Sequence, residues 1–437
     1  MRQLVGALFT TGLIQLANLA SGMMAAHLLL PAGRGELAAA LLWPTLVSYL
    51  GTLSLHDAAL YLTARRRVPA DEVFSTGSVI VLAAAAVALL AGWTFVLPYA
   101  YSGENWTTRD AAHLVIMVVP AQMICVFLLE LLRGHLRLTA WNFLRVMPGA
   151  TYVIGILVMV QLDYATVHGF ASAFVISTWV TAAVTVALIL RESWARWRPS
   201  RSAARALMSF ALKVHAGYMV SQVNSRLDQI LMIAWLDPAP LGLYVASMSL
   251  SLATQMLGGS IVMVAVPRLA AITDPLERRV AFGRYFRLLL GFMVAAALAL
   301  FLLSPFIVPL LFGAAFLPAV RVIGVLLIGV VALSLRDLML GGLKAFDSPM
   351  APGVIEVATL ALNVVALTIL VRAYGVTGAA LGYALVQTTA LALTAGVLRW
   401  RAGVTARHLL VPTAEDVRQT TAMLARLREL GRRAAAG

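Results

Sequence analysis

Long apolar stretches alternate with short polar gaps along almost the whole chain. Most of these stretches are near the ~20 residues that a helix needs to cross the hydrocarbon core of a bilayer. The twelve stretches cover residues 4–30, 38–63, 73–98, 111–132, 143–162, 166–190, 206–235, 241–266, 286–311, 319–343, 350–371 and 376–399. The pattern therefore predicts an all-α integral membrane protein with about twelve transmembrane helices.

The composition agrees with a membrane environment. The 437 residues are 61% hydrophobic and only 12% charged, and a soluble protein needs far more charge than this on its surface. The single cysteine, Cys125, excludes a disulfide within the chain and gives no support to a thiolate metal site. No phosphate-binding loop or metal-ligand spacing stands out, so the sequence predicts no cofactor.

Lysine and arginine residues are concentrated in every second gap. Counted together with the first three residues of the stretch that follows, alternate gaps, beginning with the one after the second stretch, hold 17 of them, and the remaining gaps hold 4. Because short cytoplasmic loops are enriched in these residues, the richer gaps and both termini are expected in the cytoplasm, in a multi-pass protein of the cytoplasmic (inner) membrane. The formal charge of +14 is a topology signal and an attraction to anionic membrane lipids, and it is not evidence for nucleic acid.

An internal repeat relates the two halves of the chain. With a shift of 207 residues, the turn after the first stretch matches a turn in the second half: Pro31, Ala32, Gly35 and Ala39 fall on Pro238, Ala239, Gly242 and Ala246. With a shift of 209, Gly169, Ala171 and Phe174 fall on Gly378, Ala380 and Tyr383. Six stretches in each half is an even number, so the repeat predicts two six-helix lobes of the same orientation, related by pseudo-two-fold symmetry.

The predicted domain organisation follows from the repeat and the charge pattern. The N-terminal lobe covers 1–190, an arginine-rich cytoplasmic linker covers 191–205, and the C-terminal lobe covers 206–400. In the basic tail, 401–437, Thr413 can cap a helix whose apolar and basic residues occupy opposite faces. The tail is expected either to lie on the inner leaflet as an amphipathic helix or to be a disordered basic segment.

Ionisable side chains within apolar stretches are costly in a bilayer, so they mark candidate functional positions. The seventh stretch holds more of them than any other stretch. Its candidates for a substrate cavity are Lys213, His215, Asn224, Arg226 and Asp228. Arg226 is the first choice for a substrate contact, because a guanidinium can bind a phosphate with two hydrogen bonds. The alternative is that Arg226 and Asp228 form a structural ion pair.

The other candidates lie in the first, second and tenth stretches and in the turn after the first. They are Gln15, Asn18, Arg34, His56, Asp57, Arg336 and Asp337. Adjacent residues of a helix point about 100° apart, so neither adjacent charged pair is expected to be a salt bridge on its own. No catalytic constellation accompanies them, and the longest external loop, Tyr101–Asp110, is too short for a catalytic domain, so no enzyme is predicted.

Five segments carry a resemblance to a known family. They are LLLPAGRGELAAA (Leu28–Ala40), NSRLDQILMIAWLDPAPLGLYVASMS (Asn224–Ser249), VPRLA (Val266–Ala270), LRDLMLGGLKAFDSP (Leu335–Pro349) and YGVTGAALGYALV (Tyr374–Val386). In this order they resemble the bacterial polysaccharide-export proteins, which are lipid-linked oligosaccharide flippases of the multidrug/oligosaccharidyl-lipid/polysaccharide (MOP) superfamily. The resemblance covers essentially residues 1–400.

The resemblance implies a V-shaped pair of six-helix bundles around a cationic cavity. Such proteins take up an undecaprenyl-diphosphate-linked oligosaccharide on the cytoplasmic side and release it outside, for O-antigen, capsule or exopolysaccharide synthesis. A polysaccharide polymerase and glycosyltransferases would be functional partners. Three alternatives stay open: an ion-coupled multidrug exporter of the MATE type, a peptidoglycan lipid-precursor flippase, and a membrane enzyme acting on lipid-linked sugar. The precursor flippases usually have fourteen spans, which disfavours that assignment here.

Overall fold

The computed structural model describes residues 2–101, 106–345 and 351–411, and all regular secondary structure in these ranges is helical. The predicted tail helix, with Thr413, lies outside them. The helices are α1 (Arg2–Gly51), α2 (Leu55–Ala64), α3 (Ala70–Ala91), α4 (Leu97–Ala100), α5 (Trp106–Val115), α6 (Val119–Gly134), α7 (Leu138–Gln161), α8 (Val167–Ile189), α9 (Arg201–Asn224), α10 (Leu227–Trp235), α11 (Pro238–Ala271), α12 (Pro275–Phe312), α13 (Ala319–Ala345), α14 (Ala351–Ala402) and α15 (Ala406–Leu410). Short π- or 3₁₀-helical segments link α3 to α4, α5 to α6 and α12 to α13.

Nine helices in the described part of the chain are long and apolar enough to cross a membrane. Two of them, α1 and α14, each contain one non-helical residue, Leu30 and Gly375 respectively, and so cover two predicted stretches apiece. The predicted seventh stretch corresponds to α9 and α10, which are separated by a break. With these divisions, each of the twelve predicted stretches is helical where it is described, apart from short breaks.

Proline and glycine account for the two tight turns between successive membrane helices. Leu30 has φ 60° and ψ 178°. The residue after it is Pro31, whose ring disfavours a helical conformation in the preceding residue but fits the first turn of a helix. Gly375 has φ 57° and ψ −131°, a conformation that glycine adopts without the steric cost of a side chain. One membrane helix therefore ends and the next begins without a longer connecting loop.

The two repeat-related turns touch each other through glycines. A methyl group at Gly35 would overlap the carbonyl oxygen of Pro238 and lie 3.0 Å from the backbone nitrogen of Gly242. A methyl group at Gly242 would overlap the carbonyl oxygen of Pro31 and lie 3.0 Å from the backbone nitrogen of Gly35. The contact is reciprocal, as the repeat predicts, and it needs glycine because the two backbones approach so closely.

The described residues form two compact units that are not continuous in sequence. Unit 1 contains the described residues of 1–250, 304–323 and 360–383, and unit 2 contains those of 251–303, 324–359 and 384–437. Helices α11, α12, α13 and α14 each contribute residues to both units. The predicted lobes and linker, with boundaries at 190 and 206, stay a prediction.

In unit 1, α6 is packed on several sides. It contacts α1, α2, α3, α7 and α8, and its Phe127, Leu128 and Leu131 side chains are buried. Gly77 of α3 makes room for the Phe127 ring, since a methyl group there would overlap it. Small residues at contacts are typical of membrane helices, because lipid supplies no hydrophobic driving force between helices and close packing must hold them together.

In unit 2, two adjacent glycines of α13 receive side chains from two other helices. A methyl group at Gly341 would overlap Val266 of α11, and one at Gly342 would overlap the ring of Phe282 in α12. The Phe282 side chain is fully buried. These glycines belong to one of the segments that carry the family resemblance, and their role in the structure is helix packing.

Two membrane helices are interrupted inside the membrane-spanning length. Leu53 and Ser54, between α1 and α2, have φ angles of 50° and 55°, and Ser225 and Arg226 separate α9 from α10. The expectation of one uninterrupted helix over 206–235 is therefore wrong. The positions that correspond to each break in the other half of the repeat are helical, so the breaks do not follow the repeat.

Candidate functional site

Arg34 is a buried cation at the turn between the first two membrane helices. It is 6% exposed, and its side chain runs back along α1, where Nη1 donates a hydrogen bond to the carbonyl oxygen of Gly22. A methyl group at Gly22 would lie 3.2 Å from Nη2, so the glycine leaves space for the guanidinium. The guanidinium carbon lies 5.6 Å from the centroid of the Phe312 ring, which gives a cation–π contact.

Arg34 has no acidic partner among the residues that the structure describes. Its Nε atom is buried without a hydrogen-bond acceptor, and the titratable group that acts on the guanidinium is the hydroxyl of Tyr152. A buried cation that is neither paired nor fully hydrogen-bonded is costly in a membrane. The position therefore favours an anionic ligand, whose oxygens accept hydrogen bonds from a guanidinium.

Two candidates of the first membrane helix extend this position into a polar face. Gln15 and Asn18 are exposed, and together with Gly22 they follow spacings of three and four residues, which places all three on one side of α1. The guanidinium of Arg34 contacts Gly22 at the end of this face. The structure thus brings Gln15, Asn18 and Arg34 to one side of the same helix.

The break in the seventh membrane helix lies at Arg226. This residue has the non-helical angles φ −125° and ψ 0°, and its side chain is exposed. A second polar face precedes the break on α9, where exposed residues recur at intervals of four. These residues are Lys213, Gly217 and Ser221, and exposed Ser225 follows at the same interval in the break. Lys213 and Arg226 are therefore both accessible cations on this segment of unit 1.

Asp228 is held by a residue other than Arg226. It is 6% exposed, and its carboxylate accepts hydrogen bonds from the hydroxyl of Tyr244 in α11 and from the backbone N–H of Gln229, at 2.8 Å. Arg226 contributes only a longer-range attraction. The alternative of a structural Arg226–Asp228 ion pair is therefore wrong. Sequence reasoning missed Tyr244, which lies 16 positions further on across a turn and shows no helical spacing with Asp228.

Asn224, at the end of α9, is bonded to α14. Nδ2 of Asn363 donates to Oδ1 of Asn224 at 2.8 Å and to its carbonyl oxygen at 3.2 Å. The last carbonyl groups of a helix lack partners within the helix, so this amide caps the broken end of α9. Asn363 is a second functional-site neighbour that sequence reasoning missed, because 139 positions separate it from Asn224.

The second and seventh membrane helices meet at two histidines. Nδ1 of His215 in α9 lies 3.2 Å from Oγ of Ser54, in the break before α2. Nε2 of His56 lies 3.7 Å from Oδ2 of Asp57, within ion-pair distance when His56 is protonated. This contact contradicts the expectation that the adjacent pair would not be a salt bridge on its own. The ring of Tyr218, which sequence reasoning missed, packs edge-on against His56 with centroids 5.1 Å apart.

Arg336 and Asp337 lie in unit 2 and have different partners, as expected for adjacent helical residues. Arg336 is 5% exposed and pairs with Glu356. The carboxylate of Asp337 accepts a hydrogen bond from Nε2 of Gln255 at 3.1 Å. Because Glu356 neutralises its charge, Arg336 should bind an anion less strongly than a buried arginine that has no acidic partner. The described residues include no group of three or more His, Cys, Asp or Glu side chains that could hold a metal ion.

The fold is similar to the folds of solved MOP-type membrane transporters. A structure of the lipid II flippase MurJ in an inward closed conformation aligns with a TM-score of 0.74 over 90% of this chain and 87% of that chain, at 13% identity. An inward-facing MATE family transporter of the MOP superfamily aligns with a TM-score of 0.74 over 89% of this chain and 94% of that chain, at 14% identity. The MATE transporter DinF-BH in complex with R6G aligns with a TM-score of 0.64 over 94% of this chain and 95% of that chain, at 14% identity. At these identities the likeness establishes the fold alone.

The chain belongs to the polysaccharide biosynthesis protein family, which its sequence matches over residues 24–321. A comparison with curated proteins gave no match. The family match and the shared fold confirm the resemblance inferred from the five sequence segments. The protein is a multi-pass membrane protein of this family with a MOP-type fold.

Proposed function

We propose that this protein translocates an undecaprenyl-diphosphate-linked oligosaccharide across the cytoplasmic membrane, by alternating access, for the synthesis of a surface polysaccharide. The observation that carries the proposal is the buried guanidinium of Arg34, which has no acidic partner among the described residues. Membership of a polysaccharide biosynthesis family supports the substrate class. A polysaccharide polymerase and glycosyltransferases are the partners that this function implies, and the arginine-rich gaps and both termini would face the cytoplasm.

A diphosphate is a suitable counter-charge for Arg34. Phosphate oxygens are strong acceptors, and a guanidinium can bind them with two parallel hydrogen bonds. Attraction between opposite charges is several times stronger in a low-dielectric protein interior than in water. Tyr152 lies in electrostatic range of the guanidinium and Phe312 covers one of its sides. Such a site can bind the charged head group while the polyprenyl chain stays in the lipid.

The polar faces of α1 and α9 suit the sugar portion of this substrate. Gln15 and Asn18 are exposed on α1, and Lys213 and Ser221 are exposed on α9. Amide, hydroxyl and ammonium groups donate hydrogen bonds to sugar hydroxyls, and amides and hydroxyls also accept them. Arg226, exposed at the end of α9, adds a second guanidinium that can reach a phosphate.

The test compares two substitutions of Arg34 in a strain that lacks the native gene. Arg34→Gln should lower surface polymer at least tenfold and leave lipid-linked oligosaccharide in the inner leaflet, because a charge-assisted hydrogen bond of about 1.5–3 kcal/mol is lost. Arg34→Lys should keep part of the export, since it retains the charge without the bidentate geometry. Purified Arg34→Gln should be at least as resistant to heat as the wild type, because an uncompensated buried charge is removed.

Arg321→Gln is the matched control. Arg321 belongs to the same unit but is exposed, and export should stay at the wild-type level after its substitution. Normal surface polymer in a clean deletion strain without a related transporter would reject the flippase function itself. Wild-type export by Arg34→Gln would reject only the role given to Arg34.

An ion-coupled exporter of apolar cations is the second candidate, and one observation favours it. A pocket of about 390 Å³ in unit 2 combines the carboxylate of Asp337 with Met256 and Met263. A carboxylate beside polarizable thioethers suits a cationic, apolar compound, and DinF-BH, of similar fold, is a multidrug transporter in complex with R6G. Overexpression should then raise resistance to such compounds, and Asp337→Asn should remove the effect. Unchanged susceptibility on overexpression would exclude this candidate.

A further inference from the structure

The break in the second membrane helix contacts the seventh membrane helix through a serine and a histidine. Leu53 and Ser54 have left-handed φ angles, which residues with side chains rarely adopt. Ser54 is fully buried, and its Oγ atom lies 3.2 Å from Nδ1 of His215 in α9. Further along, the ring of Tyr61 in α2 stacks on that of Phe210 in α9, with centroids 4.4 Å apart. The contact between α2 and α9 therefore runs from the break to the end of α2.

His56 is enclosed in this same contact. It is 9% exposed, its ring lies edge-on to Tyr218 of α9, and Nε2 lies 3.7 Å from Oδ2 of Asp57. Nδ1 of His56 is buried and has no hydrogen-bond partner. A neutral imidazole fits this environment, because it carries one N–H donor. An imidazolium carries two donors, and only Nε2 has an acceptor nearby.

The charges around the two histidines are few. Asp57 and His215 are the charged groups that interact electrostatically with His56. Asp57 also interacts electrostatically with Tyr218 and with Glu130 of α6. Glu130 is itself paired with Arg133, at 3.2 Å. The titratable and charged groups here are Tyr49 near the end of α1, Asp57 and Tyr61 of α2, Asp71 and Glu72 of α3, Cys125, Glu130 and Arg133 of α6, and Arg201, Arg205, Lys213, His215 and Tyr218 of α9. Among the described residues, Asp57 is the acidic group that acts on His56.

We propose that His56 and His215 form a binding site for a single proton, with Asp57 as the counter-charge, and that transport is coupled to this proton. The coupling rests on the proposed flippase function, whereas the proton site does not. Imidazole is the side chain that ordinarily takes up a proton near neutral pH. The proton binds the unshared electron pair of a ring nitrogen, and no other bond changes. One proton is bound because two imidazolium rings would repel each other and only one nearby carboxylate balances them.

Proton binding acts against the contact between α2 and α9. An imidazolium at His56 would place a second N–H at Nδ1, which is buried without an acceptor, and such a donor is costly. The ring would turn towards an acceptor or water and leave Tyr218. Acidification should therefore separate α2 from α9 and raise the population of the separated form about tenfold.

The test measures the distance between α2 and α9 as a function of pH in the full-length protein in lipid nanodiscs. Spin labels are attached to Ala64→Cys and Leu212→Cys, at exposed positions of α2 and α9, in a Cys125→Ser background. The longer-distance population should grow about tenfold as the pH falls from about 8 to about 5.5, around the ordinary titration range of histidine. The slope of this pH dependence should correspond to the binding of one proton. The measurement contains no lipid-linked sugar, so it is independent of the export assay.

Each histidine has its own expected result. His56→Gln should abolish the pH response. His215→Gln should move the response to higher pH, because His215 no longer competes with His56 for the single proton. The control His168→Gln, on α8, should leave the response unchanged. In the export assay His56→Gln should lower polymer about tenfold, whereas Arg34→Gln should leave the pH response of the labelled protein intact.

Three results would overturn the proton site: no pH response in the wild type, an unaltered response in His56→Gln, or the steepness of two protons. If His56→Gln is not monodisperse, Ser54→Ala replaces it, since it removes the hydroxyl that contacts His215 and keeps both histidines. Ser54→Ala should raise the separated population at every pH and keep the pH response, and loss of that response would contradict the proposal. If deletion leaves export intact while the response follows the histidines, the flippase function fails and the proton site stands.

Discussion

At the scale of single residues, the partners of each buried charge decide what it can bind. Arg34 and Arg336 are almost equally buried, at 6% and 5% exposed, yet Arg336 is paired with Glu356 and Arg34 has no acidic partner in the described ranges. A ligand that displaced Glu356 would leave a carboxylate unpaired inside the protein, at a cost of several kcal/mol. An anion that reaches Arg34 meets no such competition.

The hydroxyl that holds Asp228 gives a prediction at this scale. Tyr244→Phe should lower the stability of the purified protein by about 1–3 kcal/mol, because the buried carboxylate of Asp228 loses a donor. Arg226→Ala should have a smaller effect, since Arg226 is exposed. Asp228→Asn added to Tyr244→Phe should restore part of the loss, because the charge left without its donor is removed. A larger loss from Arg226→Ala than from Tyr244→Phe, measured by thermal unfolding in detergent, would contradict this assignment.

At the scale of helices, the close contact between the repeat-related turns is testable. Gly35→Ala and Gly242→Ala should each destabilise the protein by about 1–3 kcal/mol, because a methyl group overlaps a carbonyl oxygen of the facing turn. Gly217→Ala is the matched control. Its methyl group would meet nothing within 4 Å, and alanine favours a helix by about 1 kcal/mol over glycine, so this variant should be at least as stable as the wild type. Thermal unfolding of the three variants measures the difference, and equal stability in all three would show that the turns do not pack as described.

Helix breaks are the elements that hydropathy does not locate. The second and seventh stretches each have the composition of one membrane helix, and the structure divides both. Leu53 and Ser54 adopt left-handed angles although neither residue favours them. The contact of Ser54 with His215 and the bond of Asn363 to the end of α9 stabilise the broken ends. Partners from distant helices therefore account for what local sequence does not.

At the scale of the whole molecule, orientation is the property that the charge pattern predicts. Arg66→Cys and Asp163→Cys, each made in a Cys125→Ser background, place single thiols at exposed positions. Position 66 lies in a gap of the arginine-rich set, and position 163 lies in a gap of the other set. A membrane-impermeant maleimide added to intact cells should label the thiol at 163, and the thiol at 66 only after permeabilisation. Labelling of both positions from the same side would reject the predicted topology.

The sequence alone determined the membrane helices, the tight turns and the matching of the repeats. These are local properties: a helix needs an apolar length to cross lipid, and proline or glycine ends it at a defined position. Gly35 and Gly242 are an instance of this, because the shift of 207 residues already paired the two positions that the structure brings into contact.

Only the tertiary structure decided which polar groups meet. The partners Asp228 and Tyr244, Asn224 and Asn363, and Ser54 and His215 are separated by 16, 139 and 161 positions. No helical periodicity extends over such distances, and inside a membrane each buried polar group must find whichever partner the packing brings near it. For that reason the sequence identified Arg34 as one of twelve candidate residues, and the structure distinguished it by its burial and the lack of an acidic partner among the described residues.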